Sequence, residues 1–311
     1  MTQSILDNFN RNNQEKKMTT KLKILAFSFV FMLLTTFAYA DKPILDVTIP
    51  TSNAGNSWAE GNMLSDALKR IGYDSELVHT RKCVNNKNYM AKDTGRPAVF
   101  VRDTGRYVVD ESQNCKIEVN KKSFINVFYK RHQTMCVRAD EPFTNIADFL
   151  KGKTRVTVAG THSLIDGIYD GLSAETGVDF VRVDYKGSKN IIKGLIAGDT
   201  DLMYSGFTKR EIGTKQINCF TTSSDKAIVG RPPMSELFPS WHLNSYGTLK
   251  YFHAVNIPVD QMDKVRNDLN NITNDVKIKP YLEKAFMTPG SAIDNQLDLF
   301  WDTVALLTGR K

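Results

Sequence analysis

The sequence predicts an α/β fold built as two lobes, each a mostly parallel sheet flanked by helices. Three observations predict it. Short apolar runs of strand character alternate with amphipathic runs of helical spacing. The alternation occurs twice along the chain, and the 271 residues from Asp41 to Lys311 suit two lobes better than one.

Residues 44–49 read as a buried strand, and the polar, Gly-containing turn 50–57 follows it. Leu64, Leu68 and Ile71, supported by Ala67, then recur at helical spacing, and Gly72 closes the helix. Residues 76–79 and 98–101 are the second and third strands. Strand, helix, strand order implies parallel crossovers. In the polar segment that follows, two β-rich pieces, 107–109 and 117–119, predict a hairpin.

The same grammar then repeats. Residues 124–128 and 134–138 read as strands, 145–150 as a short helix and 155–159 as a strand that ends at Gly160-Thr161-His162-Ser163. Leu164, Ile165, Ile168, Tyr169 and Leu172 share one face of the next helix, which exits at Gly177. Residues 180–183 form a strand, and Tyr185-Lys186-Gly187-Ser188 leads into a helix carrying Ile191, Ile192, Leu195 and Ile196 that stops at Gly198. Residues 202–204 and 219–221 are further strands. Residues 227–244, with Pro232, Pro233 and Pro239, are irregular. A strand at 251–255 follows, then a helix opened by Pro258 with Met262, Val265, Leu269 and Ile272 on one stripe. The last helix follows Pro289-Gly290 and turns Ile293, Leu297, Phe300, Trp301 and Val304 inward.

The N-terminus carries an address. Lys21 and Lys23 precede an apolar run, and Ala38-Tyr39-Ala40 supplies small residues where a signal peptidase cleaves. Residues 18–40 therefore read as a signal peptide removed after Ala40, too short in its apolar part to span a bilayer at roughly 20 residues. Residues 1–17 read as an extension ahead of a start at Met18. An exported, periplasmic protein follows. The composition, 41% hydrophobic and 24% charged, is globular. The net charge of +7 falls to +4 without the first 40 residues, too small and too dispersed to argue for nucleic acid or a membrane surface.

Cys83, Cys115, Cys136 and Cys219 all lie in the exported part. An oxidising compartment permits two disulfides in any of three connectivities, and the strand-like setting of Cys136 and Cys219 favours pairing those two, with Cys83 to Cys115. No C-x-x-C spacing and no pair of neighbouring His residues supports zinc or another metal. Phosphate-loop, nucleophile-elbow, dinucleotide and zinc-protease patterns are all missing from the sequence, so neither catalytic residues nor a cofactor are expected.

What does recur is a Gly-, Ser-, Thr- and Asn-rich loop between a strand and a helix, at 51–57, 160–163 and 187–188. The first turn of a helix exposes N–H groups without intrahelical partners, and its dipole favours an anion there. In open α/β sheets ligands settle at the carboxyl ends of strands, where such loops lie. Ser57, Ser163 and Ser188 taken singly are ordinary N-caps. One loop from each lobe facing a common cleft makes a carboxylate clamp.

The order of motifs resembles one family, the extracytoplasmic substrate-binding receptors of tripartite tricarboxylate transporters, a branch of the type 2 periplasmic binding proteins. Asp41-Lys42-Pro43-Ile44 with Pro50 and Ala54-Gly55 is similar to its opening strand and first glycine loop. Asp148-Phe149-Leu150 and Thr157-Val158-Ala159-Gly160 resemble its linker helix and second glycine loop. Val183-Asp184-Tyr185-Lys186-Gly187, residues 195–203, Pro233-Met234-Ser235-Glu236-Leu237 and residues 252–258 resemble its later elements.

The resemblance implies two lobes joined by a two-strand hinge: lobe I from 41–128 plus 252–311, lobe II from 129–251. It implies a monomeric, non-enzymatic receptor that closes on a small organic acid and delivers it to integral membrane subunits. Carried over, it nominates Thr51, Ser52, Asn53, Ala54, Gly55 and Asn56 from lobe I, and Gly160, Thr161, His162, Ser163, Tyr204 and Ser205 from lobe II. Ser57 adds a neutral donor where the family carries an Asp that Gly55-Asn56-Ser57-Trp58-Ala59 lacks. Arg102, expected on a cleft-lining loop after the third strand, offers a planar fork for a distal carboxylate. Service to a sensor kinase or another transporter type is the alternative, and a periplasmic enzyme the more distant one.

Overall fold

The computed structural model describes residues 42–50, 56–80, 95–112, 117–160, 166–185, 188–238 and 247–308. The signal peptide, Cys83 and Cys115 lie outside these. The chain runs through β1 (Asp46–Ile49), α1 (Asn56–Arg70), β2 (Leu77–His79), β3 (Ala98–Asp103), α2 (Thr104–Ser112) and β4 (Phe124–Arg131). It continues through β5 (Gln133–Arg138), α3 (Ile146–Leu150), β6 (Arg155–Gly160), α4 (Asp166–Thr176), β7 (Asp179–Asp184), α5 (Ser188–Ala197) and β8 (Leu202–Gly206). Then come α6 (Lys209–Gly213), β9 (Ile217–Cys219), α7 (Met234–Leu237), β10 (Thr248–Val255), α8 (Met262–Asn271), α9 (Ile278–Lys284), β11 (Thr288–Pro289) and α10 (Gln296–Leu307).

These strands form two sheets, ordered β11-β4-β10-β3-β1-β2 and β7-β6-β8-β5-β9. The ladders of β1 with β2 and β3, and of β6 with β7 and β8, are parallel, as the alternating pattern predicts. The strands by which the chain passes between the sheets, β5 and β10, pair antiparallel with their neighbours. Both sheets are therefore mixed.

Leu45, Val47 and Ile49 are fully buried, with Thr48 between them, because helices cover both faces of a parallel strand. Helix α1 seats Leu64, Ala67 and Leu68 on that sheet and ends in a Schellman turn. Tyr73 donates its N–H to the Leu68 carbonyl and Gly72 to that of Lys69, with Gly72 at φ +103, a conformation a side chain would strain. The turn leaves Ile71 outside the helix and half exposed rather than inward, and Tyr73 takes the buried place.

The segment expected as a hairpin is instead partly helical. Residues 104–112 form α2, whose Tyr107 packs edge-on against Phe300 and Trp301 of α10. Trp301, expected inward, stays partly exposed at the rim of this cluster. Helix α9 is an addition to the sequence reading: its Ile278 and Leu282 enter the core of the first sheet.

Strand β4 runs in the first sheet to Arg131, and after His132 the chain enters the second sheet as β5. The return joins at Thr248, which opposes Arg131 across the ladder. The two crossings touch where Gln133 Nε2 donates to Thr248 Oγ1 at 3.1 Å, and the residue after β8 holds the first of them, Phe207 N–H donating to the His132 carbonyl at 2.7 Å. Strand β4 thus extends past position 128 to Arg131, and β10 begins at Thr248, four residues before position 252. Helix α10 adds a further tie, with Phe300 and Val304 on the first sheet and Leu306 on the core of the second. In the second sheet Cys136 and Cys219 stand opposite each other on β5 and β9 and form a disulfide.

Candidate functional site

Ala159 of β6 opposes Met203 of β8 in a parallel ladder, so Gly160 and Tyr204 come one step later on the two neighbouring strands. With Ser205 they lie together at the carboxyl end of the second sheet. Gly160 gives its carbonyl to Tyr185 N–H at 2.9 Å, and Tyr204 and Ser205 are buried. On the first sheet, β1 ends at Ile49 and α1 begins at Asn56, so the N-terminal turn of a 15-residue helix follows the carboxyl end of a central strand. Ser57 is in that turn. Thr51, Ser52, Asn53, Ala54 and Gly55, and likewise Thr161, His162 and Ser163, lie outside the described residues.

Arg102 is placed differently from the expectation. The third strand continues through Asp103 and passes directly into α2, so Arg102 is inside β3 and fully buried. Its guanidinium carbon lies 5.3 Å from the Phe100 ring centre and 5.9 Å from that of Tyr107, beneath the face covered by α2 and α10. It faces the interior of lobe I rather than a solute.

A charged cluster that sequence reading missed sits where α1 meets the crossing strands. Glu60, one turn into α1, is 1% exposed. Its Oε1 accepts from the hydroxyls of Tyr129 on β4 at 2.8 Å and Tyr281 on α9 at 2.7 Å. Lys250 Nζ on β10 lies 3.2 Å from Oε2 and also donates to Ser57 Oγ at 3.2 Å. Arg131 Nη2 stands 3.6 Å from Oε1. Burial alone would raise the Glu60 carboxyl, but the two cations and the two hydroxyls outweigh it and hold the group below its usual range. Burial and the adjacent carboxylate push both tyrosines up, so they remain protonated donors. The signal was Glu60 itself: a carboxylate one turn before Leu64 on the inward stripe of α1.

Beside this cluster, at the crossing, His132 Nε2 meets Thr288 Oγ1 at 2.9 Å. Burial and the Lys130 charge push its imidazole down to about 4, so it is neutral at ordinary pH. A cavity of about 440 Å³ opens at the other end of the first sheet, by the start of β4, and is lined by Asn126, Arg266 and Gln296 among others. It is remote from the carboxyl ends. Among the described residues no group of His, Cys, Asp and Glu could hold a metal ion, and no helix is long and apolar enough to cross a membrane.

No protein-family profile matches the sequence, and no curated protein matches it significantly. Solved structures do match. A TctC solute-binding protein from Polaromonas superposes with a TM-score of 0.65 at 16% identity, covering 87% of this chain and 99% of its own. The periplasmic binding protein BugD gives 0.63 at 16% identity, covering 88% and 96%. MatC from Rhodopseudomonas palustris, solved with bound malate, gives 0.62 at 12% identity, covering 86% and 98%. At such identities the likeness establishes the architecture: this chain has the two-lobed fold of periplasmic binding proteins.

Proposed function

We propose that the chain is an extracytoplasmic solute receptor of the tripartite tricarboxylate type, which binds a small organic acid between its lobes and hands it to integral membrane transporter subunits. The observation that carries this reading is the pairing of two carboxyl-terminal sheet ends in a fold with adjacent strand crossings. Gly160, Tyr204 and Ser205 stand at one end and the first turn of α1 with Ser57 at the other. Helix N-termini and loop N–H groups suit a carboxylate, because they offer donors and partial positive charge without a desolvated countercharge. The malate held by one structural neighbour fits that chemistry.

The mechanism is closure. The lobes rotate about the crossings at His132 and ahead of Thr248, and a solute engaged by both sheet ends stabilises the closed form. No covalent step is required, so the role is capture and delivery rather than catalysis. Export to the periplasm through a cleaved signal peptide places the receptor where such solutes arrive.

A thermal-shift screen against succinate, malate, adipate and citrate tests the reading. A ligand at a thousand times its Kd adds about 4 kcal/mol to stability, a shift of roughly 7 °C for a chain of this size. No shift with any organic acid contradicts it.

A further inference from the structure

We propose that Arg131 reads the second carboxylate of the solute, as a specificity-determining contact at the floor of the interlobe cleft. The inference rests on the carboxylate-receptor reading above and names the residue that sets its solute class.

Arg131 is the last residue of β4, at the point where the chain leaves the first sheet. Its side chain spans both lobes. At one end Nη2 accompanies Glu60 and donates to the Tyr129 hydroxyl at 3.2 Å. Along its stem it lies against Gly206, the last residue of β8, where even an added Cβ would come within 3.3 Å of Arg131 Cδ. Tyr204 and Ser205, the lobe II candidates, are the two residues before that glycine. A single guanidinium is thus held between the two halves of the proposed site.

Its donors are not used up there. Glu60 is served by the hydroxyls of Tyr129 and Tyr281 and by Lys250 at 3.2 Å, whereas Arg131 stays at 3.6 Å, beyond hydrogen-bond reach. Nε of Arg131 is buried and has no acceptor among the described residues, so the surface a solute meets belongs to the rest of the side chain. The Arg131 side chain keeps 28% of its surface exposed, against 1% for Glu60 and 7% for Lys250, so it is the member of the cluster a solute can reach. The Tyr129 oxygen first, then the charges of Glu60 and Asp103, outweigh burial and hold it protonated. The Tyr129 hydroxyl and the charge of Glu60 position the planar guanidinium, whose partly exposed fork suits recognition of a carboxylate by paired bonds.

Calorimetric titration of the full exported chain with succinate, malate and adipate, and with butyrate as the matched monocarboxylate, tests the assignment. Arg131→Gln is expected to weaken the dicarboxylate that wild type binds by roughly 10- to 150-fold, the range for one charge-assisted contact, while butyrate changes less than twofold. Arg131→Lys should recover part of the loss. Thermal melts of both variants report the fold separately. Equal losses for dicarboxylate and butyrate, or no loss for either, refute the role of Arg131. Wild type that binds none of the four acids refutes the carboxylate reading itself, and this inference with it.

Discussion

Replacing Glu60 with Gln keeps the shape of the side chain and removes one buried negative charge. In the native cluster the carboxylate faces Lys250 at 3.2 Å and Arg131 at 3.6 Å. At an effective dielectric of about 20 each pair attracts by about 5 kcal/mol, against several kcal/mol spent in desolvating the carboxylate. The variant keeps the acceptor for Tyr129 and Tyr281 but leaves Lys250 buried without a countercharge, so a loss of about 3–5 kcal/mol is expected. Urea unfolding at pH 7 measures it. The acid limb gives an independent check. The Glu60 carboxyl is held below its usual value in the folded state, so its stabilisation is complete above about pH 4.5 and is lost as pH falls through the lower folded value. Glu60→Gln should lack that step. A variant within about 0.5 kcal/mol of wild type, with an unchanged acid limb, refutes the assignment of Glu60 as an ionised structural anchor.

Other perturbations have defined outcomes. Cys136→Ser with Cys219→Ser opens a loop of 83 residues and should cost about 4 kcal/mol in urea unfolding, while an unchanged midpoint would show that the bridge does not restrain the unfolded chain. Burial, with the Arg102 charge beside it, pulls His253 down to about 3, so its contribution is complete above about pH 6.5 and is lost as pH falls toward 3. His253→Phe should therefore flatten stability between pH 6 and 4 by up to about 1.4 kcal/mol per pH unit, and an unaltered slope contradicts this. Gly160→Val should abolish carboxylate binding with little change in melting temperature; wild-type affinity in that variant would remove Gly160 from the site.

The periodic elements were legible because each is written locally. Continuous apolar runs marked the buried strands β1 and β4, glycine exits marked α1 and α5, and Asn145 capped α3 through its bond to Asp148 N–H. Where tertiary contacts decide, local pattern misleads. Tyr107, Val108 and Val109 have strand propensity, yet the α10 aromatics hold Tyr107 on a helix. Pro280 disguised α9, although at the third position of a helix it gives up an N–H that has no intrahelical partner. The glycine loops were readable from composition and placement, but the Glu60 cluster joins residues 57, 60, 129, 131, 250 and 281, which no spacing rule connects. Arg102 and Arg131 show the same limit from the other side. Both end or nearly end a strand, and only tertiary packing leaves Arg102 fully buried beside Tyr107 of α2 and Arg131 partly exposed against Gly206.

Small-angle scattering of the exported chain during a titration with succinate, malate and adipate tests the central claim most directly. Closure of two lobes on a carboxylate predicts a saturable decrease in radius of gyration with one of these acids, reached at one solute per chain. A radius that stays constant at saturating concentrations of all three contradicts the account.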